Sequence, residues 1–196
     1  MNLILASASP YRRQQLESLG LHFAWEDSQV DESLLKQKTT DPYQLCAQLA
    51  LAKAQAISKK HPDALVLGAD QLVYAQQKIL GKAGTRASAI DQLQSLQGQS
   101  HQLITSCCLI APNQSLQHTD ITTITLKKLT REQIVSYVDC DQTWDCAGSY
   151  KLEKNGVVLM QKISTEDPSA IIGLPLMTIT QWLMDLGIHI PCLVKP

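Results

Sequence analysis

Apolar residues recur along this chain with two alternating periods, and the alternation lays out an order of strands and helices. Leu3-Ile4-Leu5-Ala6 is continuously apolar, the pattern of a strand buried on both faces. It runs straight into Ser7-Ala8-Ser9-Pro10, where Ser9 suits a helix N-cap and Pro10 the first helical position. Residues 21–25 read as short and extended. Asp41-Pro42 opens a long helix to about Lys59, with Leu45, Leu49, Ala52 and Ala56 as its apolar stripe. Residues 63–75 are largely apolar and predict a strand pair or one long central strand, followed by a short hairpin turning near Gln76-Gln77. Residues 88–96 predict a helix with Ile90, Leu93 and Leu96 facing inward and Gly98 as its stop. Residues 100–111 and 115–126 are strand-like, and Pro112-Asn113-Gln114 joins them as a hairpin. Thr130 and Gln133 form a capping box for another helix. Residues 157–163 read as a strand and residues 175–186 as the last helix.

This order predicts an α/β fold with a mixed sheet flanked by helices. The hairpin that interrupts the βα pattern marks a second lobe, and a cleft between lobes is a common place for a ligand. A chain of 196 residues with no repeat, linker or low-complexity tract is expected to be one domain, residues 1–196.

Composition narrows the partners. The formal net charge is −1, so no bulk field draws the chain to nucleic acid or to an anionic membrane, and any polyanion site must be local. One Phe and three Trp are too few for a base-stacking platform on a nucleic acid strand. Cys46, Cys107, Cys108, Cys140, Cys146 and Cys192 include no Cys-x-x-Cys pair and read as buried small apolar residues in a reducing compartment. No leader pattern and no apolar run of membrane-spanning length appear, so the expected location is the cytoplasm.

Candidate chemistry begins at the first helix. Its unpaired N–H groups and positive dipole end, with Ser7, Ser9, Arg12 and Arg13 within a turn, describe a site for a phosphate chain. A capped surface helix with two solvated arginines is the plain alternative. Asp70 stands in the apolar run Leu65-Val66-Leu67-Gly68-Ala69-Asp70-Gln71, where a carboxylate is costly to bury unless it is paired or metal-bound. A turn at Gly68 that supplies backbone hydrogen bonds is its alternative. Lys53 lies among small residues that let its stem run close to the backbone, and Lys82 follows the short hairpin. Val30-Asp31-Glu32 adds carboxylates before the long helix. Each of these, taken singly, reads as a solvated charge. Together, cations that clamp phosphate oxygens and carboxylates that hold magnesium and direct a water are what phosphate-anhydride cleavage needs. No P-loop and no nucleophile elbow is present, and the five histidines lack metal-ligand spacing.

Leu-Ala-Ser-Ala-Ser-Pro followed by Arg12-Arg13, Leu49-Ala50 with Lys53-Ala54, Gly68-Ala69-Asp70 and Ile79-Leu80-Gly81-Lys82 occur in this order. They are followed by Gly98 with His101 and Thr105, Ala147-Gly148-Ser149-Tyr150 and Gly173-Leu174-Pro175-Leu176. In that order and spacing the chain resembles the Maf family of nucleoside triphosphate pyrophosphatases over nearly its whole length. The resemblance implies an elongated mixed sheet with two lobes and a cleft, as in inosine triphosphatase-like folds, often in a homodimer. It implies hydrolysis of a small nucleoside triphosphate to a monophosphate and pyrophosphate with a divalent cation, magnesium with manganese as the alternative. Asp70 falls on the family's proposed catalytic base. Ser7, Arg12, Glu32, Lys53 and Lys82 fall on its phosphate- and metal-handling positions, Glu32 and Asp70 being the metal candidates. Ala83 stands where the family usually has Pro, and Ser169 where Asn is common before Gly-Leu-Pro.

Tyr11, Gln71 and Glu153 stand where pyrimidine-directed members typically carry Arg, Thr and Gln, and they resemble the subgroup that hydrolyses 7-methyl-GTP. A tyrosine face suits a cationic ring, and a glutamate suits the N1–H and N2–H₂ edge of guanine. The leading expectation is therefore a house-cleaning 7-methyl-GTP pyrophosphatase. A dTTP or UTP pyrophosphatase is one alternative, and a non-catalytic nucleotide-binding regulator linked to cell division is another.

Overall fold

The computed structural model describes residues 2–193, apart from the side chain of Cys192. The strands are β1 (Leu3–Leu5), β2 (Ala24–Trp25), β3 (Leu65–Ala75), β4 (Lys78–Leu80), β5 (Ser100–Ala111), β6 (Gln114–Leu126) and β7 (Met160–Ser164). The helices are α1 (Pro10–Ser18), α2 (Ser33–Lys38), α3 (Pro42–Ser58), α4 (Arg86–Leu96), α5 (Arg131–Asp141) and α6 (Leu176–Asp185). Among the described residues the strands form one seven-stranded sheet in the order β2-β1-β3-β5-β6-β7, with β4 paired to β3. β1 runs parallel to β2 and β3, whereas β4 on β3 and β7 on β6 are antiparallel, so the sheet is mixed as expected. The chain divides into two compact units. One holds the residues up to Gln71, Thr105–Asp120 and those from Asp167, and the other holds Leu72–Ile104 and Ile121–Glu166.

In the first unit the apolar runs of β1 and β3 are covered on both faces. Leu3, Leu5, Leu65, Leu67 and Cys107 face one cluster with Leu16 of α1 and Ile179 and Leu183 of α6. Ile4, Ala6, Val66 and Cys108 face the other, with Ala50, Ala54 and Ile57 of α3. The period-2 alternation thus sends the adjacent cysteines to opposite sides. The buried stripe of α3 is Leu45, Cys46, Leu49, Ala50, Ala54 and Ile57, so the expected members Ala52 and Ala56 are only half-buried. Gly68 explains the rotation. A Cβ there would sit 2.4 Å from Ala50 O and 2.6 Å from Ala54 N, so α3 lies directly on the bare backbone of β3. Gly68 therefore serves close packing within a strand, not a turn. The six-residue helix α2 buries nothing and left no periodic signal in the sequence.

In the second unit α4 packs on α5, and Ala89, Ile90, Leu93, Ile134 and Val138 of these two helices are buried. Thr85 caps α4, which begins earlier than residue 88, and the Thr130–Gln133 capping box is present on α5. The strand expected from residue 157 starts only at Met160. Val157 and Val158 are 60% and 53% exposed in a 3-10 turn, where β-branched side chains pack on nothing. Cys140 is exposed and Cys146 half-buried, correcting the reading of every cysteine as buried; Cys46, Cys107 and Cys108 are buried, and the Cys192 side chain lies outside the described residues. Among the described residues no helix is long and apolar enough to cross a membrane.

His101 in this unit is 3% exposed, with Nε2 2.9 Å from the Tyr150 hydroxyl and Nδ1 without a partner among the described residues. Burial pushes its pKa down to about 4 from 6.5. Between those values the unfolded chain binds the extra proton, so the stability His101 confers is full above about pH 6.5 and falls as pH drops through the window toward 4. The loss amounts to at most about 3 kcal/mol. Thermal unfolding followed by circular dichroism from pH 7 to 4 is expected to show this decline, and His101→Gln to flatten it.

Candidate functional site

β3 carries Asp70 mid-strand on the face that meets α3, because residues 66, 68 and 70 share one side of a strand. The close approach at Gly68 brings Lys53 within reach. Lys53 Nζ donates to Asp70 Oδ1 at 2.6 Å and stands 2.8 Å from Glu32 Oε1. The second oxygen of Glu32 is 2.6 Å from Lys36 Nζ, one helical turn along α2. Asp70 Oδ2 has no hydrogen-bond partner among the described residues. Burial pushes the Glu32 carboxyl up, but the ammonium groups of Lys36 and Lys53 outweigh it and hold the pKa at about 2. Burial likewise opposes the charge of Lys53, and Asp70 and Glu32 more than offset it, so its pKa is raised.

The start of α1 supplies the second half. Ser9 caps the helix, its Oγ accepting from Arg12 N at 3.5 Å, and Pro10 takes the first position. Ser7 Oγ accepts from Ser9 N at 3.2 Å and from Arg12 Nη1 at 3.5 Å. Arg12 also donates from Nη1 to Ala69 O at 2.9 Å and from Nε to Gly173 O at 3.3 Å, and Nη2 has no partner among the described residues. Burial lowers the pKa of Arg12, against the pull of Asp70, Cys46 and Glu32, and a guanidinium keeps its proton throughout. An open cavity of about 350 Å³ lies against Ser7, Glu32 and Lys53, with Asp27, Ser28 and Gln29 on its wall.

The sequence-derived set therefore converges in part. Ser7, Arg12, Glu32, Lys53 and Asp70 belong to the first unit and are linked by the contacts above. Arg13, one residue on and about 100° around the helix, lies with its guanidinium carbon 4.2 Å from the centroid of Trp25. Tyr11 is half-buried. Gln71 directs Nε2 to Thr105 Oγ1, Ala170 O and Ile171 O at 2.9, 3.0 and 3.1 Å, so its amide nitrogen is committed within the protein. Lys82 and Glu153 are exposed residues of the second unit. Lys82 pairs with Ala147 through the backbone, and Gly84 N donates to Trp144 O at 2.8 Å, so this loop is held without a proline at Ala83. Glu153 is carried on a turn closed by Gly156 N to Lys151 O, with Asn155 held by Asp141. Sequence reasoning passed over Lys36 and Gln15. The four-residue spacing from Glu32 could have found the first, but only tertiary contacts show the second.

Glu32 and Asp70 offer two hard carboxylates that converge on one ammonium, which suits magnesium. That ion commonly takes one or two carboxylates and completes its shell with water and substrate phosphates. Among the described residues no group of three or more His, Cys, Asp or Glu could hold a metal ion. An ion here would thus rely on ligands from outside the chain.

Residues 2–186 match the family described as Maf-like protein. A protein named 7-methyl-GTP pyrophosphatase from Bdellovibrio bacteriovorus is 44% identical over 186 residues, covering 95% of this chain and 97% of that relative. One of the same name from Xanthomonas oryzae pv. oryzae is 40% identical, covering 96% and 98%. The solved structure of a HAM1 protein from Coxiella burnetii is similar at a TM-score of 0.51 and 13% identity, covering 94% of this chain and 99% of that one. That likeness concerns the fold alone.

Proposed function

This chain belongs to the Maf-like protein family, and from that premise we propose that it hydrolyses 7-methyl-GTP to 7-methyl-GMP and pyrophosphate. The observation that carries the chemistry is Lys53 bridging Asp70 and Glu32 in the same unit as Arg12 and Ser7. The relatives' name supports the choice of base.

Asp70 Oδ1 is engaged by Lys53, which leaves Oδ2 to orient a water and accept its proton. The water oxygen forms a bond to the α-phosphorus, and the α–β bridging oxygen leaves with its electron pair on pyrophosphate. Arg12 Nη2 and the hydroxyl of Ser7 receive phosphate oxygens, aided by the positive dipole end of α1. Ser9 keeps a hydroxyl proton to donate while it caps the helix, and Lys82 adds charge from its own unit. Arg13, stacked on Trp25, acts at most through its field. A magnesium ion on Glu32 and Asp70, with manganese as the substitute, would draw charge from the phosphate oxygens and favour the hydroxide form of water. Tyr11 stacks on the cationic base, Glu153 accepts from its N1–H and N2–H₂ edge, and Gln71 contributes by holding residues 170–171. A nucleotide substrate of this kind is met in the cytoplasm.

The test is hydrolysis in oxygen-labelled water with magnesium present, with products separated by chromatography and weighed. The label is expected in the 7-methyl-GMP phosphate, with unlabelled pyrophosphate. Label in pyrophosphate would move the attack to the β-phosphorus, and 7-methyl-GDP as the main product would defeat the proposal.

A further inference from the structure

Gln15 lies three residues after Arg12 on α1, on the same side of the helix. It is 7% exposed and engages residues 169–174 with both ends of its amide. Nε2 donates to Ser169 O at 2.8 Å and to Leu174 O at 3.3 Å, and Oε1 accepts from Leu174 N at 3.1 Å. Between those contacts stands Gly173, whose carbonyl accepts from Arg12 Nε. Gly173 has φ +130°, and a Cβ on it would lie 3.2 Å from Arg12 Nε. The guanidinium therefore rests against bare backbone in a conformation that L side chains rarely adopt.

The segment is fixed at its far end as well. Ser169 Oγ donates to Asp167 Oδ1 and accepts from Leu176 N at 2.7 Å, while Asp167 Oδ2 accepts from Met177 N at 2.9 Å. Ser169 thus ties the segment to the first turn of α6. With Nε and Nη1 of Arg12 both held by carbonyls, only Nη2 is left to meet a ligand, and its direction follows from where the Gly173 carbonyl stands.

We infer that Gln15 is a positioning residue for phosphate recognition, holding the Gly173 carbonyl so that Arg12 presents Nη2 to the phosphate chain. This rests on the phosphate role of Arg12 in the reading above. A small displacement of such a group is enough to weaken recognition severely.

The test is a double-mutant cycle read by the affinity for inorganic pyrophosphate, measured by titration calorimetry with magnesium in wild type, Arg12→Ala, Gln15→Glu and the double variant. Glutamate keeps the shape of Gln15 but cannot donate to Ser169 O or Leu174 O. Each single substitution is expected to weaken binding by about ten-fold, and Gln15→Glu to add less than two-fold once Arg12 is alanine. The ratio of kcat/KM for 7-methyl-GTP over GTP is expected to stay unchanged in Gln15→Glu, because the base is not involved. Should Gln15→Glu fail to fold, Gln15→Met removes the same hydrogen bonds without adding charge and is read in the same cycle. Additive losses, or wild-type affinity in the Gln15 variant, overturn the inference alone. Unchanged affinity in Arg12→Ala overturns the phosphate reading and the inference with it.

Discussion

Asp70→Asn is expected to leave a folded protein whose turnover is lower by about 100-fold or more, the usual scale of losing a general base. Asparagine can still accept from Lys53 at the position of Oδ1, which preserves the 2.6 Å contact. Its amide nitrogen then replaces Oδ2 and offers protons where lone pairs are needed. Lys53 loses one of its two carboxylates but keeps Glu32 at 2.8 Å, so its charge is not stranded. Pyrophosphate release gives the rate, and thermal unfolding confirms the fold. Turnover near wild type in the folded variant would remove Asp70 from the mechanism.

Wild-type protein is expected to prefer 7-methyl-GTP over GTP, and the triple variant Tyr11→Arg, Gln71→Thr, Glu153→Gln to lose that preference while gaining activity on dTTP or UTP. The methylated ring is a cation and guanine is not. Stacking of a cation on Tyr11 is worth about 0.5–2 kcal/mol. A charge-assisted pair with Glu153 adds about 1.5–3 kcal/mol. Before desolvation the sum is a preference of very roughly 30-fold to several thousand-fold. Gln71 needs a separate control. Its amide holds Thr105 and the carbonyls of Ala170 and Ile171, so threonine there removes a brace and lowers stability as well. Comparison of kcat/KM for the four nucleotides in the single and triple variants divides the effects. A wild-type preference for dTTP or UTP would overturn the base assignment and leave the pyrophosphatase reading standing.

The cap of α1 was legible because capping is local: Ser9 and Pro10 act within a turn of themselves. Asp70 was legible because a carboxylate contradicts its apolar surroundings. Lys53 was legible only through the family resemblance, since its own neighbours suit an exposed lysine equally well. What makes it a site residue is Gly68, fifteen positions away, which lets α3 rest on β3. The same contact turned the buried stripe of α3 from Ala52 and Ala56 to Ala50 and Ala54. Arg12 and Arg13 looked equivalent in sequence, and one step around a helix sends one to backbone carbonyls and the other to Trp25. Val157 and Val158 carry strand propensity, but nothing covers them, so propensity had no packing to act through.

Gly68 has one more consequence, for how this protein tolerates change. The gap between sheet and helix has the thickness of a missing side chain, and the ammonium of Lys53, one residue before Ala54 on α3, is registered against Asp70 by that gap. Position 68 therefore works like a shim under a machine part. Any thickness added there pushes on Ala50 and Ala54, the turn of α3 that carries Lys53, and displaces the ammonium where tenths of an ångström matter. A residue that touches no substrate and carries no functional group sets the tolerance to which the reacting groups are built.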